Sequence, residues 1–113
     1  MIDLLAMSCS PPKMGGPSLT SSEIQTYLAQ LPDWEVLELD SINQLSRTFK
    51  FTNFVTALEF TNQVGELAEQ EDHHPSILTE WGRVTVTWWT HAVSGLHIND
   101  FISAAKTDQL FAG

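Results

Sequence analysis

Apolar residues recur along this chain with two spacings, and the alternation between them predicts the order of elements. Ile24, Tyr27, Leu28 and Leu31 follow the i, i+3, i+4, i+7 spacing of one helix face. Thr20 and Glu23 before them are spaced as a capping box, with Leu19 and Ile24 as its hydrophobic staple, and Pro32 ends the helix. Residues 34–39 read as a short strand and Asp40-Ser41 as a turn. Leu45, Arg47, Phe49 and Phe51 then alternate with Ser46, Thr48 and Lys50, the period of a half-buried strand. Arg47 falls on the apolar side, where a sheet margin is expected in preference to pairing with a carboxylate.

Thr52 or Asn53 can cap a second helix whose expected core stripe is Phe54, Ala57, Leu58, Val64 and Ala68. Gly65 on the same side costs roughly 1 kcal/mol against alanine, which predicts a close neighbour such as the sheet or another subunit. The helix runs out in Glu66, Glu69, Glu71 and Asp72, the wrong sign of charge for a helix C-terminus. Pro75 opens a third strand, Gly82-Arg83 turn the chain, and residues 84–91 form the fourth. On it Val84, Val86 and Trp88 share one face, while Thr85, Thr87, Trp89 and His91 share the other. A last helix carries Ile98, Phe101, Ile102 and Ala105. The order α-β-β-α-β-β-α predicts an α+β fold: a four-stranded antiparallel sheet with helices packed on one face. Trp89 on the uncovered face suggests self-association.

Composition narrows the partners. The chain has 113 residues, with 5 Lys+Arg against 14 Asp+Glu and a net charge of −9. That balance argues against nucleic acid and against anionic membranes, and no apolar run approaches the ~20 residues that span a bilayer. The single cysteine, Cys9, rules out an internal disulfide and fits the reducing cytoplasm. Residues 1–18 have turn and linker composition and are expected to form a disordered tail, leaving 19–113 as one domain.

The chemistry concentrates in Glu69-Gln70-Glu71-Asp72-His73-His74-Pro75, with Trp81 and with His91 beyond it. A hairpin sets the start of its first strand beside the end of its second, so His73 and His74 should meet His91. Imidazoles titrate near pH ~6.5 unperturbed and can both give and take a proton at neutral pH. Three of them beside carboxylates make a plausible acid–base site. Adjacent histidines on an extended segment point to opposite sides, so both reach one ligand only if the backbone turns. Glu69 would orient a histidine. Asp100 suits a histidine partner and a helix-capping carboxylate equally well, and His97 is assigned no chemistry. The same histidines with a carboxylate can in principle ligate zinc. No His-x-x-x-His pair or available cysteine supports that, and no Gly-x-Ser-x-Gly turn supports a serine nucleophile.

Glu69-x-x-x-His73-His74-Pro75, Trp81, His91 and Asp100, at these spacings, closely resemble the signature of the pterin-4a-carbinolamine dehydratases. Leu31-Pro32-x-Trp34, Phe49-x-Phe51-x-x-Phe54, Thr90-His91 and Gly95-Leu96 extend the resemblance over about residues 20–110. It implies the sheet and helices derived above, assembly as a dimer or tetramer, and no metal or bound cofactor. It also implies the activity: loss of water from 4a-hydroxytetrahydropterin to give quinonoid dihydropterin, which recycles the tetrahydropterin cofactor of hydroxylases. By resemblance, His73 and His91 deliver a proton to the departing hydroxyl and His74 binds and polarises the pterin ring. Asp72, Thr90, Trp81 and Trp89 become candidate substrate contacts, and Glu69 and Asp100 orient histidines. The pair Trp88-Trp89 and His97 depart from the family pattern, and the tail matches no family segment. The alternative on the same scaffold is a non-catalytic coactivator or assembly protein, disfavoured because the histidine set is complete.

Overall fold

The computed structural model describes residues 2–113. Helix α1 (Ser21–Leu28) begins with the expected capping box: Thr20 Oγ1 accepts from Glu23 N–H, and the Glu23 carboxylate accepts from Thr20 N–H. Strands β1 (Glu35–Leu39) and β2 (Ile42–Lys50) form a hairpin through Asp40 and Ser41. Both turn residues have positive φ, as a two-residue turn matching the strand twist requires. Helix α2 (Phe54–Glu71), capped by Asn53 Oδ1, leads to β3 (Ser76–Glu80), β4 (Arg83–Trp88) and helix α3 (Ile98–Ala112). The sheet is antiparallel throughout, in the order β1-β2-β4-β3.

The two faces of the sheet divide as the period of two demands. Leu45, Phe49, Val84, Val86 and Trp88 are buried in the core shared with the helices. On the opposite face, hydroxyls pair across the central strands, Ser46 with Thr87 and Thr48 with Thr85, each at 3.0 Å. Two expectations about packing are corrected. The inward stripe of α2 is Ala57, Phe60, Val64, Leu67 and Ala68. Phe54 and Leu58 lie about 100° round the helix from it and are 43% and 41% exposed. A Cβ at Gly65 would meet nothing within 4 Å, so no close neighbour within the chain explains that glycine.

Arg47 is a third correction: it sits on a central strand, not at a margin. Its guanidinium donates to Asp108 Oδ1 at 2.6 Å and lies 4.3 Å from the centre of the Phe49 ring. Trp34 Nε1 donates to the same oxygen at 2.8 Å. The carboxylate on α3 thus compensates a cation that the alternation drives into the core layer.

Residues 2–18, whose composition predicts no fixed structure, lie against the domain. Leu4, in a short 3₁₀ turn, is 1% exposed, and Met7 and Cys9 pack at the core margin. Cys9 N–H donates to Glu71 Oε1 at 2.8 Å, and Lys106 Nζ donates to Glu71 Oε2 at 3.0 Å. Gly15 N–H reaches Ala92 O at 2.7 Å, and Leu19 N–H reaches Leu96 O at 2.8 Å. A Cβ on Gly95 would come within 3.0 Å of Ser18 Cβ, so glycine there admits the passing segment. Periodicity does not register such a segment, because isolated hydrogen bonds and one buried leucine hold it.

Replacing Asp108 by Ala should lower the unfolding free energy by about 1–3 kcal/mol in urea titrations, since it removes the partner of the Trp34 N–H and leaves Arg47 only the longer contact to Asp33 at 3.7 Å. Glu71 yields a pH prediction. Burial pushes its carboxyl upward, but the hydrogen bonds from Cys9 N–H and Lys106 outweigh that and hold it below the ordinary range. Its contribution is therefore complete above the unfolded glutamate value and is lost as pH falls through the lower folded value. The stability difference between the native chain and Glu71→Gln should be full at neutral pH and shrink progressively in acid.

Candidate active site

The site forms where α2 hands over to β3, against the exit of β4. Helix α2 ends in a reversal in which Asp72 takes a left-handed conformation (φ 51°, ψ 42°) and His73 N–H bonds back to Ala68 O at 3.1 Å. This reversal precedes both histidines and leaves them on opposite sides of the chain. His73 points inward and His74 outward, where its Nε2 pairs with the Glu69 carboxylate. Strand β4 ends at Trp88, earlier than the alternation suggests. Thr90 makes an isolated bridge to Gly95, and His91–Val93 form a 3₁₀ turn. His91 is thus delivered by a turn and not by the strand.

Asp100 ties these parts together. It is fully buried (0% exposed) in the first turn of α3 and accepts from three donors. His73 Nε2 lies 2.6 Å from Oδ1, while Thr90 Oγ1 and His97 N–H donate to Oδ2 at 2.8 and 2.9 Å. Its capping and histidine-orienting roles therefore coexist in one carboxylate. His97 is the N-cap, its Nδ1 accepting from Asn99 N–H at 3.1 Å. With Nε2 of His73 held by a carboxylate, a neutral His73 carries its proton there and leaves Nδ1 as the basic nitrogen. The Trp88 indole stacks on a face of that imidazole, ring centres 5.4 Å apart and planes 20° apart. Trp88 Nε1 is buried without a partner among the described residues.

A cavity of about 470 Å³ opens here, lined by residues 72–76, residues 89–92 and Pro12. It brings together His73, His74, His91, Asp72, Thr90 and Trp89 of the candidate residues. The Trp89 and His91 rings lie 5.2 Å apart. Asp100 stands buried behind His73, while Glu69 pairs with His74 at the exposed surface. Thr90 spends its hydroxyl proton on Asp100, leaving the rest of its side chain toward the cavity. Trp81 lies elsewhere: it is 73% exposed in the β3–β4 turn, at the far end of the hairpin from His74. Pro12 had no signal in the sequence, because nothing local marks a tail residue as a cavity wall. Among the described residues, no three His, Cys, Asp or Glu side chains are grouped as metal ligands, and no helix is long and apolar enough to cross a membrane.

The fold and cavity define a small α+β domain presenting clustered imidazoles to a pocket of small-molecule size. The family model for pterin 4 alpha carbinolamine dehydratase matches residues 17–110, and the chain belongs to that family. Relatives from Syntrophotalea carbinolica and Nitrosococcus oceani are each 54% identical, over 95% and 97% of this chain and 96% and 97% of their own. One from Microcystis aeruginosa is 51% identical over 98% of this chain and 96% of its own. All three bear the name "Putative pterin-4-alpha-carbinolamine dehydratase". A Brucella melitensis crystal structure described as a transcriptional coactivator/pterin dehydratase superposes with TM-score 0.74 at 35% identity, covering 82% of this chain and 97% of that one. A pterin dehydratase-like RuBisCO assembly factor of the alpha-carboxysome shares the fold (TM-score 0.59, 20% identity, 69% and 88% coverage).

Asp100→Asn should release His73 from its fixed tautomer. Imidazole ¹⁵N NMR should show an Nε2–H form in the native chain and a mixture in the variant, with stability lower by about 1–3 kcal/mol.

Proposed function

We propose that this chain catalyses dehydration of 4a-hydroxytetrahydropterin to quinonoid dihydropterin and water, so returning tetrahydropterin to use. The carrying observation is that His73, His74 and His91 line one cavity and that a buried carboxylate fixes the first of them. Hydroxide is a poor leaving group. The C4a–O bond breaks as the hydroxyl takes up a proton and departs as water, while the N5 proton is lost to a base. Positioned imidazoles suit both transfers, since one can donate while another accepts. In this reading His73 and His91 serve the departing hydroxyl. His74, steadied by Glu69, polarises the ring, and Asp72, Thr90 and Trp89 border the bound heterocycle. The protein works in the cytoplasm without a metal or bound cofactor.

A second reading, a partner-binding protein without catalysis, draws on the apolar side chains Phe54, Val55 and Leu58 exposed along α2. Assembly as a homodimer or homotetramer would cover the same surface. Turnover separates the two readings. In stopped-flow dehydration of 4a-hydroxytetrahydropterin, His74→Ala should lose about 10²-fold or more in rate. Trp81→Ala, altering a turn outside the cavity, should stay near the native rate. A native protein that gives no acceleration over buffer, yet binds a protein partner, would overturn the enzymatic reading.

A further inference from the structure

Nine of the ten residues lining the cavity come from 72–76 and 89–92; the tenth, Pro12, arrives from the opposite end of the chain. The anchor nearest to it in sequence is a buried side chain. The Asn99 carboxamide, 2% exposed, accepts from Ser10 N–H at 3.1 Å and donates to Ser10 O at 2.7 Å. It thus occupies both main-chain groups of one strap residue, as a neighbouring strand would. Two further contacts flank it: Cys9 N–H on Glu71 Oε1 (2.8 Å) and Gly15 N–H on Ala92 O (2.7 Å). Pro12 lies between these anchors, with its φ restricted by the ring. Asn99 adjoins Asp100, so one turn of α3 fixes both the histidine and the wall opposite it. A buried amide with both its groups satisfied fixes one geometry for the segment it holds, which an apolar residue of the same size would not.

We propose that Asn99 is a positioning residue for the substrate pocket, pinning residues 9–16 as a strap so that Pro12 closes one wall against the bound heterocycle. The proposal rests on the pterin reading above. Because strap docking and ligand binding then favour each other, each must strengthen the other by the same factor. The strap carries its own reporter. Cys9 is the sole cysteine, and its Sγ sits 3.4 Å from Ser103 Oγ beneath the docked segment. Burial, chiefly, pushes its thiol upward, so the docked form reacts slowly.

The test uses the full chain, native and Asn99→Ala, with two readouts. Steady-state dehydration should show KM raised about tenfold in the variant with kcat within about threefold, because the histidines keep their partners. Labelling of Cys9 by dithiobis-nitrobenzoate should quicken about tenfold in the variant, and 7,8-dihydrobiopterin should slow labelling of the native chain. Pro12→Gly, which leaves every strap hydrogen bond in place, should raise KM about threefold; it decides the matter if Asn99→Ala fails to fold. Faster labelling with unchanged KM, or an unchanged KM in Pro12→Gly, overturns the strap while leaving the dehydratase reading intact. A native chain that binds dihydrobiopterin without turnover overturns the dehydratase reading, and the strap is then judged by the same comparison on binding. A native chain that neither turns over nor binds pterin overturns both.

Discussion

A carboxylate with no access to water holds this protein's chemistry in place. Burying an ionised group costs several kcal/mol unless its lone pairs are occupied. Asp100 meets that demand with an imidazole from the α2–β3 junction, a hydroxyl from the β4 exit and the N–H of its own helix cap. The N-terminus of α3 adds a favourable dipole. Each donor belongs to a different part of the chain, so satisfying one charge sets the relative positions of three segments. The cavity walls are two of those segments.

Much of this was legible in order and little of it in detail. The capping box at Thr20 and Glu23, the alternation in β2 and the two hairpins rest on interactions within a few residues, and local spacing records those faithfully. That His73, His74 and His91 lie near one another was legible in part, since the hairpin sets the start of β3 beside the end of β4, but a 3₁₀ turn beyond the strand supplies His91. The stripe of α2 was not. Phe54, Val55 and Leu58 make its first turns apolar on more than one side, so periodicity could not choose the inward face. Arg47 was misplaced for a different reason: its partner lies 61 residues away on α3, and no local pattern announces such a pair.

Trp81 and Pro12 show the same limit from opposite directions. Trp81 sits at a fixed spacing from the histidines, yet β3 carries it away from them, because spacing along a strand is distance. Pro12 lies far from them in sequence and is returned by hydrogen bonds between the residues around it and Asn99, Glu71 and Ala92. Motif spacing therefore finds residues that share a turn or a hairpin end and misses those that a long-range tether supplies.

The pairing of Ser10 with Asn99 spans 89 residues, and that of Cys9 with Glu71 spans 62. During synthesis Cys9 finds its partner only once the end of α2 has emerged, and Ser10 only once the final helix has. Loops that long close slowly, after contacts nearer in sequence have formed. Residues 9–10 are thus made long before the groups that hold them, and a nascent chain stalled before α3 has neither the carboxylate nor the asparagine with which to finish its pocket.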